Sequence, residues 1–174
     1  MNSPNPYAPP KSPVADVDER GDPETALASR GQRLGAAMLD SIIAMVWTIP
    51  LGLYLGVWSA AFRQQPIPFQ KSLLMAVLGF VLFMGVNSPF LRSNGQTIGK
   101  KLVGIRIVSM EYAVPDLWRI ILLRYAPISL AGLIPVVGPL ASFVDILFIF
   151  GASRRCVHDL IAGTQVVGVR RKAA

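Results

Sequence analysis

Three ionisable side chains stand inside long apolar stretches: Asp40, Arg124 and Asp145. A charged aspartate at the centre of a lipid-facing helix costs roughly 2.5–3.5 kcal/mol on insertion scales. Each such residue must therefore face protein, pair with an opposite charge, or in the carboxylate case take up a proton. Arg33 precedes Asp40 by seven residues, about two helical turns, so the two share a helix face. Asp40 reads either as an ion or proton site or as one half of a fixed pair with Arg33 or Arg124. Asp145 reads either as the partner of Arg124 at similar depth or as a second carboxylate beside Asp40. In the second case the two acids raise one pKa toward neutrality and make a proton carrier.

Near the C-terminus, His158 and Asp159 are adjacent and follow Cys156. A catalytic triad needs a nucleophile held by its base, and no Gly-x-Ser-x-Gly elbow is present. The chain has one histidine and one cysteine, so a zinc site of three or four His/Cys ligands cannot be built within it. The single cysteine also excludes an intrachain disulfide. Arg154 and Arg155 offer a route to a depressed Cys156 pKa, against the plainer reading of an ordinary thiol. Gly95, Gly99 and Gly104 fit neither dinucleotide-binding nor P-loop spacing. We expect no enzyme, no metal and no cofactor. Asp159 is expected to brace the junction of a surface helix and a terminal strand, pairing with Lys100, Lys101 or Arg106.

The elements that carry these residues follow from composition. Charged residues make up 16% and apolar residues 52%, against about 25% charged in soluble domains. A first span runs about Leu34 to Trp58, with Asp40 its only charge, and a second about Ser72 to Leu91 with none. Both reach the ~20 residues that cross a bilayer. Gly52 and Gly56 form a small-xxx-small pair suited to close helix approach. Ser59 to Lys71 reads as a loop, and Pro89 as a kink or an exit. Asn94-Gly95 signals a turn, Thr97 to Leu102 a short amphipathic helical turn, and Gly104–Val108 and Thr164–Val169 short strands that pair. Residues 1–29 hold six prolines and almost no bulky aliphatics, and read as a disordered acidic tail. No basic n-region leads directly into an apolar stretch, so the first span is expected to act as an uncleaved signal.

Charge decides the topology. The net charge is +7, yet residues 1–29 carry two basic against five acidic groups. The remaining basic residues crowd the edges of the apolar stretches, as the positive-inside rule requires, and no nucleic-acid binding is expected. The third apolar region, about Ile120 to Phe150, has basic flanks on both sides, and the proposed strands lie before and after it. Both facts ask for one side of the membrane. A break at Ile134 to Pro139, with two prolines and a glycine, divides the region into limbs of about 15 residues, or roughly 22 Å each. A re-entrant or short helical hairpin follows; the alternative is a single kinked span with the C-terminus outside.

In combination these motifs resemble the RDD family of bacterial integral membrane proteins. The matching pieces are Arg33 to Asp40, Asn94 to Val108, Arg124, and His158 to Val167, over roughly residues 28–168. The family's arginine and first aspartate fall on Arg33 and Asp40. The second falls on Asp159 or Asp145, with Asp159 in the matching terminal motif. The resemblance implies an all-α transmembrane helical protein with a small two-stranded cytoplasmic β unit. Residues 30–168 form its membrane domain and 169–174 a basic tail. It implies a multi-pass protein of the bacterial inner (cell) membrane, N-terminus cytoplasmic. Its suggested activity is exchange of monovalent cations for protons; Arg33, Asp40, Arg124 and Asp145, the charges in or beside the apolar stretches, are then the candidate polar core, and two or three spans are few enough that transport requires a homo-oligomer. The alternative is a scaffold or accessory subunit that binds partner proteins or anionic lipid.

Overall fold

The computed structural model describes residues 26–134 and 136–169. The first long helix, α1, runs Arg30–Tyr54. Ser29 and Gln32 form a capping box: Gln32 N–H donates to Ser29 Oγ at 3.1 Å and Ser29 N–H to Gln32 Oε1 at 2.9 Å. Two otherwise unpaired donors are thereby satisfied. The expected tail thus ends earlier than residue 29; its residues 1–25 lie outside the described residues. The second long helix, α3, runs Phe69–Asn94 and contains Pro89 without ending there. Between them lies a short helix, α2, Val57–Phe62, in place of part of the expected loop. Trp58 folds back so that its indole N–H donates to Thr48 O at 3.3 Å. The indole fills the space beside Gly52, so that glycine serves a contact within the chain.

Both long helices invert the usual pattern. In α1 the buried positions include Arg33, Ala36 and Asp40, while Ile42, Val46, Ile49 and Leu53 are exposed. In α3 only Met84, Asn87 and Leu91 are buried. A helix of a water-soluble domain buries its apolar stripe and exposes its polar one. Here only 11% of each helix's most apolar window is buried, and both helices are long and apolar enough to cross a membrane.

A left-handed Gly95 ends α3, and α4 follows at Ile98–Val103 with Thr97 as its N-cap. Strand β1 is Ile105–Ser109 and β2 is Thr164–Gly168, paired antiparallel with Ile105 opposite Gly168 and Ser109 opposite Thr164. Leu27 bridges Val167 on the other edge of β2, and Ala28 N–H donates to Val166 O at 2.9 Å. Three stretches therefore meet at one end of the molecule: the lead into α1, the strand after α4, and the terminal strand. Ile105, Ile107, Val166, Ile120 and Leu91 form the core there.

The third apolar region begins with α5, Leu117–Arg119, which runs into a π-helical segment, Ile120–Tyr125, and then α6, Ala126–Ala131. After a break, α7, Val137–Leu147, and a 3₁₀ turn, Phe148–Phe150, lead back to α8, Val157–Ala162. Since β1 precedes this region and β2 follows it side by side with β1, the region goes out and returns. Pro135, part of the expected apex, lies outside the described residues.

Candidate functional site

Arg33 and Asp40 both point inward from α1, as their spacing requires, yet they do not pair with each other. Asp40 is received by the start of α4. Thr97 Oγ1 donates to its Oδ2 at 2.5 Å, Gly99 N–H to its Oδ1 at 2.8 Å, and Lys100 Nζ lies 3.7 Å from Oδ2. A carboxylate at a helix N-terminus satisfies free N–H groups and meets the positive end of the helix dipole. Gly99 makes this approach feasible: a Cβ there would lie 2.8 Å from Asp40 Cγ and run into Ala36 O. The stretch Thr97–Lys100 is thus a receptor for Asp40, and the expected partners Arg33 and Arg124 are engaged elsewhere.

They meet at Asp159, which is fully buried. Arg33 Nη2 donates to Asp159 Oδ2 and Arg124 Nη1 to Oδ1. Cys156 N–H donates to Oδ2 at 3.1 Å and Thr164 Oγ1 to Oδ1 at 3.3 Å. One carboxylate thereby ties α1, the π-helical segment, α8 and β2. Burial alone would raise the Asp159 carboxyl, but the guanidinium groups of Arg124 and Arg33 outweigh it and hold the group well below the usual carboxylate range. Lys100, Lys101 and Arg106 were the expected partners of Asp159. They lose because Lys100 is committed to Asp40 and two arginines reach Asp159 first. The junction role is present; its cations differ.

Asp145 does not pair with Arg124. It sits near the end of α7 and receives the start of α8: His158 N–H donates to Oδ1 at 2.9 Å, and His158 Nδ1 lies 2.6 Å from Oδ2. The expected neutralisation fails because Arg124 is taken by Asp159 and Thr164 while Asp145 is taken by His158. For His158, burial and then Arg124 outweigh the hydrogen bond to Asp145 and pull the imidazole pKa down, keeping it neutral. Burial pushes the Cys156 thiol up to about 11, so Arg154 and Arg155 do not activate it. Its Sγ accepts Arg33 Nη2 at 3.3 Å.

Arg33, Lys100, Arg124, Asp145, Cys156 and His158 line one cavity of about 140 Å³. All four sequence-derived core candidates are buried, and Asp40 stands beside this cavity through Lys100. The participation of Thr97, Gly99 and Thr164 was not foreseen. Cys156 and Asp159 carried a visible signal, since their spacing is that of a capping box, with cysteine at the cap.

Comparison with known proteins identifies the family. A relative in Bacillus subtilis (strain 168), described as "Uncharacterized protein YckC", is 34% identical over 138 residues, which cover 77% of this chain and 80% of the relative. No solved structure matches. The RDD family model matches residues 27–163, the stretch that holds Arg33, Asp40, Arg124, Asp145, His158 and Asp159, and the chain belongs to the RDD family.

Proposed function

We propose that this chain is a multi-pass protein of the bacterial cell membrane and that it exchanges monovalent cations for protons. Helices α1 and α3 cross the bilayer, and the hairpin of α6 and α7 enters and returns. The N-terminus and the β unit lie in the cytoplasm. The distribution of charge supports that orientation: Arg33, Arg92, Lys100, Lys101, Arg106, Arg119, Arg154 and Arg155 gather at the β end, against Arg63 and Lys71 at the other.

The observation that carries the transport reading is the cavity, lined by Arg33, Lys100, Arg124, Asp145 and His158 among aliphatic side chains, where the interrupted hairpin returns. Irregular backbone at membrane depth is tolerated where it is covered by protein or lines a wet cavity. Interrupted helices of this kind form ion sites in transporters, and π-helical turns recur at functional sites. Asp145, with His158 and Lys100 beside it, gives this cavity a carboxylate that can hold a cation or a proton. Two crossing helices and a hairpin enclose too little for a pathway alone, so the working unit is a homo-oligomer.

The test is a pH-gradient assay in reconstituted vesicles with Na⁺, Li⁺ or K⁺ added. Cation-dependent dissipation that falls in the Asp40→Asn, Asp145→Asn double variant is expected; traces that ignore every cation would sink the reading. A second reading is a non-transporting scaffold or accessory subunit. It draws on one observation: Asp40, Asp145 and Asp159 each hold a fixed partner from another element, as a static brace requires.

A further inference from the structure

The return of the hairpin brings together three side chains of different chemistry. Asp145 comes from α7, Cys156 caps α8 and His158 lies in its first turn. One ligand atom from each lies within 4.8 Å of the others, and all three line the 140 Å³ cavity. We infer that Asp145, Cys156 and His158 form a binding site for a divalent d-block cation of the zinc or cobalt kind, with water as a fourth ligand.

Counting histidines and cysteines in the sequence stops at two donors. The fold adds the carboxylate as the third. Three protein ligands with an open position make the usual tetrahedral arrangement of a zinc site that keeps a water. Thiolate and imidazole favour zinc or cobalt over magnesium, calcium and the alkali ions. His158 Nδ1 and Asp145 Oδ2, now 2.6 Å apart, separate by less than about 1 Å to sit on a common tetrahedral ion. The ion replaces the proton they share.

Protons and charge balance. The neutral imidazole moves its proton from Nδ1 to Nε2, which lies 3.9 Å from Asp159 Oδ1. A carboxylate behind a metal-bound histidine is the common way to orient such a ligand. The Cys156 thiol releases one proton to solvent. Its sulfur already accepts hydrogen bonds from Arg33 Nη2 and from the Asp159 backbone N–H, which hold a thiolate as it forms. The carboxylate and the thiolate then neutralise the dication. The guanidinium groups of Arg33 and Arg124 remain turned to Asp159. The ion shares Asp145 and His158 with the proposed exchange cavity and would compete with it there, but its test needs no transport.

The full chain in mild detergent, stripped with a chelator, is titrated with Co²⁺. The expected result is one Co²⁺ per chain, with the visible bands of a tetrahedral ion and a near-ultraviolet thiolate-to-metal band that Zn²⁺ abolishes. Cys156 is the only cysteine, so that band in the unaltered protein assigns the sulfur without any variant. Cys156→Ser removes it, and Asp145→Asn and His158→Ala weaken Co²⁺ binding by about 100-fold or more, beyond the loss typical of an outer-shell change. Each variant is measured on the monodisperse fraction. Absence of both bands in the unaltered protein, one ion per two chains, or a thiolate band that persists in Cys156→Ser would each overturn the site.

Discussion

Replacing Asp159 by asparagine keeps the side-chain shape and removes the charge that Arg33 and Arg124 share. Asp159 is fully buried, and both guanidiniums are buried with it. The asparagine oxygen cannot accept from both arginines while its amide also faces donors from Cys156 N–H and Thr164. Two buried cations lose their counter-charge, and breaking a buried pair by removing one partner costs about 3–5 kcal/mol. Domain stabilities total about 5–15 kcal/mol, so Asp159→Asn forfeits a large share. At roughly 2–4 °C per kcal/mol for a chain of this size, the melting temperature falls by about 6–20 °C. The assay is thermal unfolding in one detergent, followed by tryptophan fluorescence and by monodisperse yield. The pH dependence has a definite sign. The folded carboxyl lies below its unfolded value, so its stabilisation is complete above the unfolded pKa of about 3.9 and is lost as pH falls below it. The unaltered protein loses stability through that acid window, and the variant shows a shallower loss. A variant that melts within about 1 kcal/mol of the unaltered protein would refute the view of Asp159 as the tie among four elements.

Gly99→Ala places a methyl against Asp40 and the Ala36 carbonyl; overpacking of this kind costs about 1–3 kcal/mol, measured by the same melt. Ser29→Ala removes one half of the capping box and should cost about 1 kcal/mol, with no change in Co²⁺ binding. The topology is checked by single cysteines in a Cys156→Ser background. Gln65→Cys, between α2 and α3, should react with an impermeant maleimide on intact cells, and Glu111→Cys, just after β1, only after lysis. Labelling of both positions from outside would refute the placement of the β unit in the cytoplasm.

Much of this protein is legible along the chain. The apolar runs locate α1 and α3 because helix length and composition are local properties. The seven-residue step from Arg33 to Asp40 puts both on the buried face because the helical period is fixed. Alternation and β-branching mark β1 and β2, and the basic flanks of the third region ask for its return. The ion pairs were not legible. Arg124 and Asp145 looked matched by distance from the apex, but pairing is settled within about 4 Å in space, where Arg124 meets Asp159 and Asp145 meets His158. Lys100 goes to Asp40 and not to Asp159 because α4 packs on α1 through Gly99, a contact between residues nearly sixty apart. The same holds for Asp145, Cys156 and His158, which become neighbours only when α7 returns beside α8. Periodicity determines which residues turn inward; the docking of the hairpin on the β unit decides whom they meet there.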